Sequence, residues 1–275
     1  MPEMVIEQAL IEPSRSGWTM TARSPGWDDD WNPAVERLCA GFGQPPPLEH
    51  LPLCVWAQPL DRQRVAVVQA AAEGAPPQLR FRVLILPQPL YARIGDPFAI
   101  SDEFPPPWGT RVVLPSLAWS DDESDGSVER LQRILQEDDS ATLLGGVQAL
   151  VDGGRIVFER PFPAPELIRR LWALLPTPSR AELWPASFAF AANPELHAVV
   201  VPKYNPTDWP GFLTEEQAGD YPQGRYELNL QIAVEAGDQR EVDRLFRRRT
   251  SRQTLRLAIV LLFVAMAVAI ALRVL

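Results

Sequence analysis

The chain reads as an α+β protein, with two lobes of mixed or antiparallel sheet and short helices, followed by a transmembrane helix. Three observations predict this. Short strand-like apolar runs are separated by turns rich in its 29 prolines and 16 glycines. Helix-spaced apolar stripes stand among them behind capping residues. Finally, sixteen consecutive apolar residues, Leu257 to Leu272, lie between Arg256 and Arg273. At 275 residues, 46% hydrophobic and 22% charged, the composition excludes disordered and fibrous classes.

In chain order, Val5–Leu10 and Gly17–Arg23 are expected strands, followed by the turn Ser24-Pro25-Gly26. Asn32 followed by Pro33 signals a helix start, with Val35, Leu38, Cys39 and Phe42 as its buried stripe. Leu53–Gln58, Arg64–Ala70 and Leu79–Leu86 form a predicted meander. In the last of these, Arg80 and Arg82 alternate with Phe81 and Val83, so its start is expected to have one wet face. A short strand from Arg111 to Leu114 follows.

The polar segment Trp119–Ser127 marks a boundary between residues 1–118 and 127–236. Ser127 is positioned to cap a helix burying Val128, Leu131, Ile134 and Leu135. Asp152-Gly153-Gly154 predicts a hairpin between Leu143–Val151 and Arg155–Glu159. Within it, Gly145-Gly146 implies close backbone packing or a bulge. Pro165 opens a helix that Pro176 stops. A second hairpin is expected from Ser187–Ala192 and Leu196–Val201, and a last strand over Tyr226–Ala233. A basic juxtamembrane helix over 238–254 then leads into the anchor, 255–275.

Charge is divided along the chain. From Arg244 onward there are seven arginines and no acid, a balance of +7, whereas residues 1–243 carry −16. An acidic body offers no stripe for phosphates, so nucleic acid is not an expected partner. The apolar run spans about 24 Å as a helix, against a hydrocarbon core of roughly 30 Å. Snorkelling arginines at its ends narrow the difference, whereas a buried core helix explains shorter runs better. Arg247, Arg248, Arg249, Arg252 and Arg256 precede the run and Arg273 follows it. That asymmetry predicts a single-pass cell-membrane protein, contacting lipid through 255–275, with its body in the cytoplasm. Cys39 and Cys54 are then expected to be reduced.

Candidate chemistry is sparse. No phosphate-loop, dinucleotide-binding, kinase, zincin or nucleophile-elbow pattern is present, and no cofactor is expected. His50 and Cys54 stand four apart but have Pro52 between them, against a helical metal pair. Asp28, Asp29 and Asp30, with Asp121, Asp122, Glu123 and Asp125, read as solvated acidic loops. A non-enzymatic chain is the leading expectation. The alternatives are a hydrolase or nucleotide-handling enzyme, with Asp28–Asp30, His197 and Lys203 in a site between lobes, and a structural subunit of a membrane complex. Trp27, Trp31, Trp108, Trp119 and Trp209 flank turns and are candidate partner contacts.

Several further segments carry a family resemblance. They are the first strand ending in Gln8, Gly17-Trp18, Ser24-Pro25-Gly26, Gly41–Gly43, FRVLIL from Phe81, Tyr91–Ile100 and FPPPW from Phe104 to Trp108. Over residues 4–115 the chain resembles the N-terminal domain of the GTPase-associated protein family of bacterial signalling and conflict modules. WPASFAFA from Trp184 and VVVPK ending at Lys203 look like the region that follows it. The resemblance implies an adaptor or assembly module acting beside a GTPase or ATPase, and it carries over no catalytic residue.

Overall fold

Alternation at period two builds the centre of the molecule. The computed structural model describes residues 4–14, 17–43, 50–73, 78–108, 114–120, 126–193 and 195–247. Strands β1 (Val5–Ser14) and β2 (Gly17–Arg23) pair antiparallel. A 3-10 turn, Asp29–Trp31, leads into α1 (Asn32–Gly41). Strands β3 (Leu51–Pro59), β4 (Arg64–Glu73) and β5 (Gln78–Pro87) form the expected antiparallel meander. Helices α2 (Gln88–Ile94) and α3 (Pro97–Glu103) follow, then the short β6 (Leu117–Ala118), paired with β1.

The second half opens with α4 (Val128–Leu135), which Ser127 caps by accepting from the Arg130 N–H. Next come α5 (Ser140–Val151), β7 (Arg155–Glu159), α6 (Pro165–Ala173), α7 (Thr177–Arg180), β8 (Pro185–Ala186) and β9 (Ala198–Val201). β10 (Phe212–Leu213), α8 (Glu215–Gly219), α9 (Arg225–Glu235) and α10 (Gln239–Phe246) complete the described chain.

The result is a mixed α+β fold on one large mixed sheet, ordered β10-β7-β9-β8-β3-β4-β5-β1-β2, with β6 beside β1. The β10-β7-β9-β8 portion is parallel and the remainder antiparallel. Trp56 of β3 pairs with Ala186 of β8, so the halves on either side of 119–127 share one sheet and one hydrophobic core. Central strands are buried on both faces, which explains their near-continuous apolar sequence. One face carries Phe42 stacked on Trp56 at 4.9 Å, with Trp18 edge-on to Phe81 at 4.8 Å. On the other, Tyr91 of α2 stacks on Trp184, and the Trp172 indole of α6 donates to the Gly95 carbonyl.

Several expectations are corrected. Trp31, not Asn32, holds the cap position of α1, and the Asn32 side chain accepts instead from the Trp27 indole at 2.9 Å. Residues 143–151 lie in α5, where Leu143, Val147 and Leu150 recur at helical spacing; Gly153, at φ +90°, ends that helix rather than turning a hairpin. β9 pairs parallel to β7 and β8, so the second expected hairpin is absent from the described residues. Tyr226–Ala233 is helical: Tyr226, Leu230, Ala233 and Val234 are buried while Leu228 and Ile232 are exposed. Period-two alternation there concealed a helical stripe. Arg82 is 3% exposed rather than on a wet face.

The expected helix over 238–254 is described only as α10, capped by Asp238. The anchor at 255–275, Arg248, Arg249, Arg252, Arg256 and Arg273, and most of the strand expected at 111–114 lie outside the described residues. Among those described, no helix is long and apolar enough to cross a membrane.

Candidate functional site

The residues considered for catalysis do not converge. His197 directly precedes β9 and Lys203 follows it, so the strand's length separates them at its opposite ends. Arg64 at the start of β4 lies over the Trp31 ring at 4.9 Å, which places Asp28–Asp30 near that strand. Three strand spacings, about 14 Å, lie between β4 and β9. His50 is exposed and Cys54 fully buried, and no metal-ligating cluster occurs among the described residues. Burial pushes both thiols upward, with Glu36 adding to the effect at Cys39, so neither is a ready nucleophile.

The candidate anchors are also redistributed. Of the candidate partner contacts, Trp27, Trp31 and Trp209 are buried and pack inside the fold. Trp108 and Trp119 are half-buried, Trp119 lying edge-on to Phe104.

What the first half does assemble is a polar cluster in the sheet's interior. Register places Arg82 directly opposite Gln69, and the Gln8 amide oxygen accepts from the Arg82 Nε at 2.9 Å and Nη2 at 2.6 Å. Arg82 Nη1 donates to Gln69 and to the carbonyls of Phe104 and Pro105. Gln69 donates to Ser101 and Phe104, and Gln8 to Pro115. Burial lowers the Arg82 pKa to about 10, so it remains a guanidinium at neutral pH, held by neutral acceptors. The cluster ties the FPPPW segment to β1, β4 and β5.

The second assembly is the seat of α10. Val242, Leu245 and Phe246 are buried, and Phe246 lies against the Arg180 guanidinium at 5.2 Å. Arg180 donates to the carbonyls of Leu175 and Ala173 at the end of α6, and burial lowers its pKa. Gln239 accepts from the Val128 N–H and donates to the Gly126 carbonyl, while Gln132 of α4 donates to the Val234 carbonyl of α9. These bonds fasten α9 and α10 to α4, so the chain leaves residue 247 from a fixed element. Arg180 and Gln239 carried no motif; only tertiary packing gives them a role.

Glu227, in the first turn of α9, has a buried Oε2 without a hydrogen-bond partner among the described residues. Burial raises its pKa, opposed by the Gly224 N–H. A carboxyl raised in the folded state contributes stability below the ordinary carboxylate range and loses it as pH rises through the folded value. Glu227→Gln is therefore expected to melt higher than the parent near neutral pH, with the gap closing in acid. Calorimetry at both pH values checks this, and a lower melting point at neutral pH would contradict it.

No family model, curated protein or solved structure matches the chain.

Proposed function

We propose that this chain is a membrane-anchored cytoplasmic adaptor. Residues 255–275 form its single transmembrane helix, and its body recruits a protein partner, a GTPase or ATPase of a bacterial signalling or defence system. The observation that carries this reading is the seat of α10. A helix buried through Val242, Leu245 and Phe246 hands the chain directly to a basic segment and then to the sixteen apolar residues. The separation of Asp28–Asp30, His197 and Lys203 along and across the sheet supports this reading over an enzyme site built from them.

The test is gentle detergent extraction of the full-length chain from its own membranes, followed by mass spectrometry of everything retained. Recovery in the membrane fraction with a stoichiometric nucleotide-hydrolysing partner is the expected result. A chain found in the soluble fraction, or extracted alone under conditions that preserve weak complexes, would overturn the reading.

A further inference from the structure

The helical hairpin that ends the described chain exposes two large apolar side chains, Leu228 at 44% and Ile232 at 55%. They stand one turn apart on α9, opposite the face that buries Tyr226, Leu230, Ala233 and Val234. On α10, Arg240, Arg244 and Arg247 recur at i, i+4 and i+7, opposite buried Val242, Leu245 and Phe246. Gly237, at φ +67°, reverses the chain between the helices. Arg225, Asn229, Arg244 and Leu245 line one cleft, so the end of α10 lies beside the start of α9. The exposed leucine is thus near the point where the chain departs.

We propose that this α9–α10 face lies on the surface of an anionic bilayer, with Leu228 and Ile232 entering the headgroup region and Arg225, Arg240, Arg244 and Arg247 meeting lipid phosphates. The inference rests on the membrane-anchored reading. Leu257 is ten residues beyond Arg247, a reach of about 15 Å as helix and at most about 36 Å extended. An inserted run from Leu257 therefore holds the hairpin near the headgroups. Four of the intervening residues, Arg248, Arg249, Arg252 and Arg256, add charge of the sign that anionic lipid attracts. Apolar side chains set among arginines on a surface helix match an interfacial lipid site. Two such side chains are too few for the core of a stable protein interface, which takes roughly 800 Å² from each partner.

Of the hairpin's five acids, Glu227 is buried, and the other four are held in hydrogen bonds, Asp238 accepting from the Glu241 N–H. Glu241 pairs with Arg244, Asp243 accepts from Gln239, and Glu235 accepts from Gln231. The Glu241–Arg244 pair is solvent-exposed, so it is weak enough to exchange for phosphate.

The test uses the full chain reconstituted in vesicles of phosphatidylcholine with or without phosphatidylglycerol. Leu228→Cys, Ile232→Cys and, on the β7–α6 connection, exposed Phe162→Cys each receive a fluorophore. Cys39 and Cys54 are buried, so the unsubstituted chain serves as the labelling blank. Brominated lipid is expected to quench the labels at 228 and 232 by about twofold more than that at 162 when phosphatidylglycerol is present. Arg225→Glu with Arg240→Glu should remove that excess. A chain that floats with the vesicles while all three labels quench alike overturns the docking face and leaves the anchor standing. Excess quenching that ignores phosphatidylglycerol or survives the double charge reversal overturns the arginine–phosphate contact. A chain that does not float overturns both readings.

Discussion

Arg82→Leu is expected to lower the free energy of unfolding by about 3 kcal/mol, measured by denaturant titration. The substitution leaves the buried Gln8 and Gln69 oxygens without this donor, while the Phe104 carbonyl keeps its bond from Gln69 and Pro105 is exposed. Each buried acceptor stranded in this way costs about 1–3 kcal/mol, and release of a buried charge offsets only part of the sum. Amide exchange should rise around residues 104–108, because their attachment to the sheet runs through this guanidinium. Arg82→Lys should recover little, since an ammonium lacks the planar fork that reaches two strands and a loop together. A Leu variant within about 0.5 kcal/mol of the parent would show that the cluster does not secure that segment.

Gly145→Ala is expected to cost about 2 kcal/mol, although alanine is ordinarily the better helix residue by about 1 kcal/mol. Here the sign is set by α8. A Cβ at residue 145 would stand 1.9 Å from the Ala218 carbonyl oxygen and 3.0 Å from its carbon. Both are backbone atoms, which cannot swing aside as a flexible side chain would. Gly219→Ala supplies the contrast, because its Cβ would meet only Thr142 Oγ1 at 3.5 Å, an ordinary contact. It should be neutral or slightly stabilising. Equal effects in the two variants, read from parallel unfolding curves, would refute the close-approach account.

The two predictions separate kinds of information. Gly145-Gly146 in an apolar run was legible as a place of close backbone packing, though not as helix against helix. Arg82 was visible as an arginine alternating with apolar residues, yet its pattern alone read as a wet face. An isolated strand gives every second residue to one side; whether that side meets water depends on what covers it. Here α3 and the segment after it cover that side and bring carbonyls within reach. The same limit produced the error at Tyr226–Ala233. Tyr226, Leu228, Leu230 and Ile232 fit period two, while Tyr226, Leu230, Ala233 and Val234 fit a helix, and the choice lay in the body against which the segment packs.

Local chemistry alone determined the meander of β3 to β5, the Ser127 cap, the proline-opened α6 and the charge division at Arg244. Each depends on neighbours within a few residues: side-chain alternation, a capping oxygen, a fixed proline φ, a run of like charge. Tertiary structure alone decided that the two halves share a sheet through Trp56 and Ala186, that three candidate tryptophans are interior, and that Asp28–Asp30, His197 and Lys203 stay apart. It also decided that Leu228 and Ile232 face outward. Those outcomes arise from contacts between segments far apart in sequence, and the free energy selecting them lies in the shared burial of surfaces that no single segment contains.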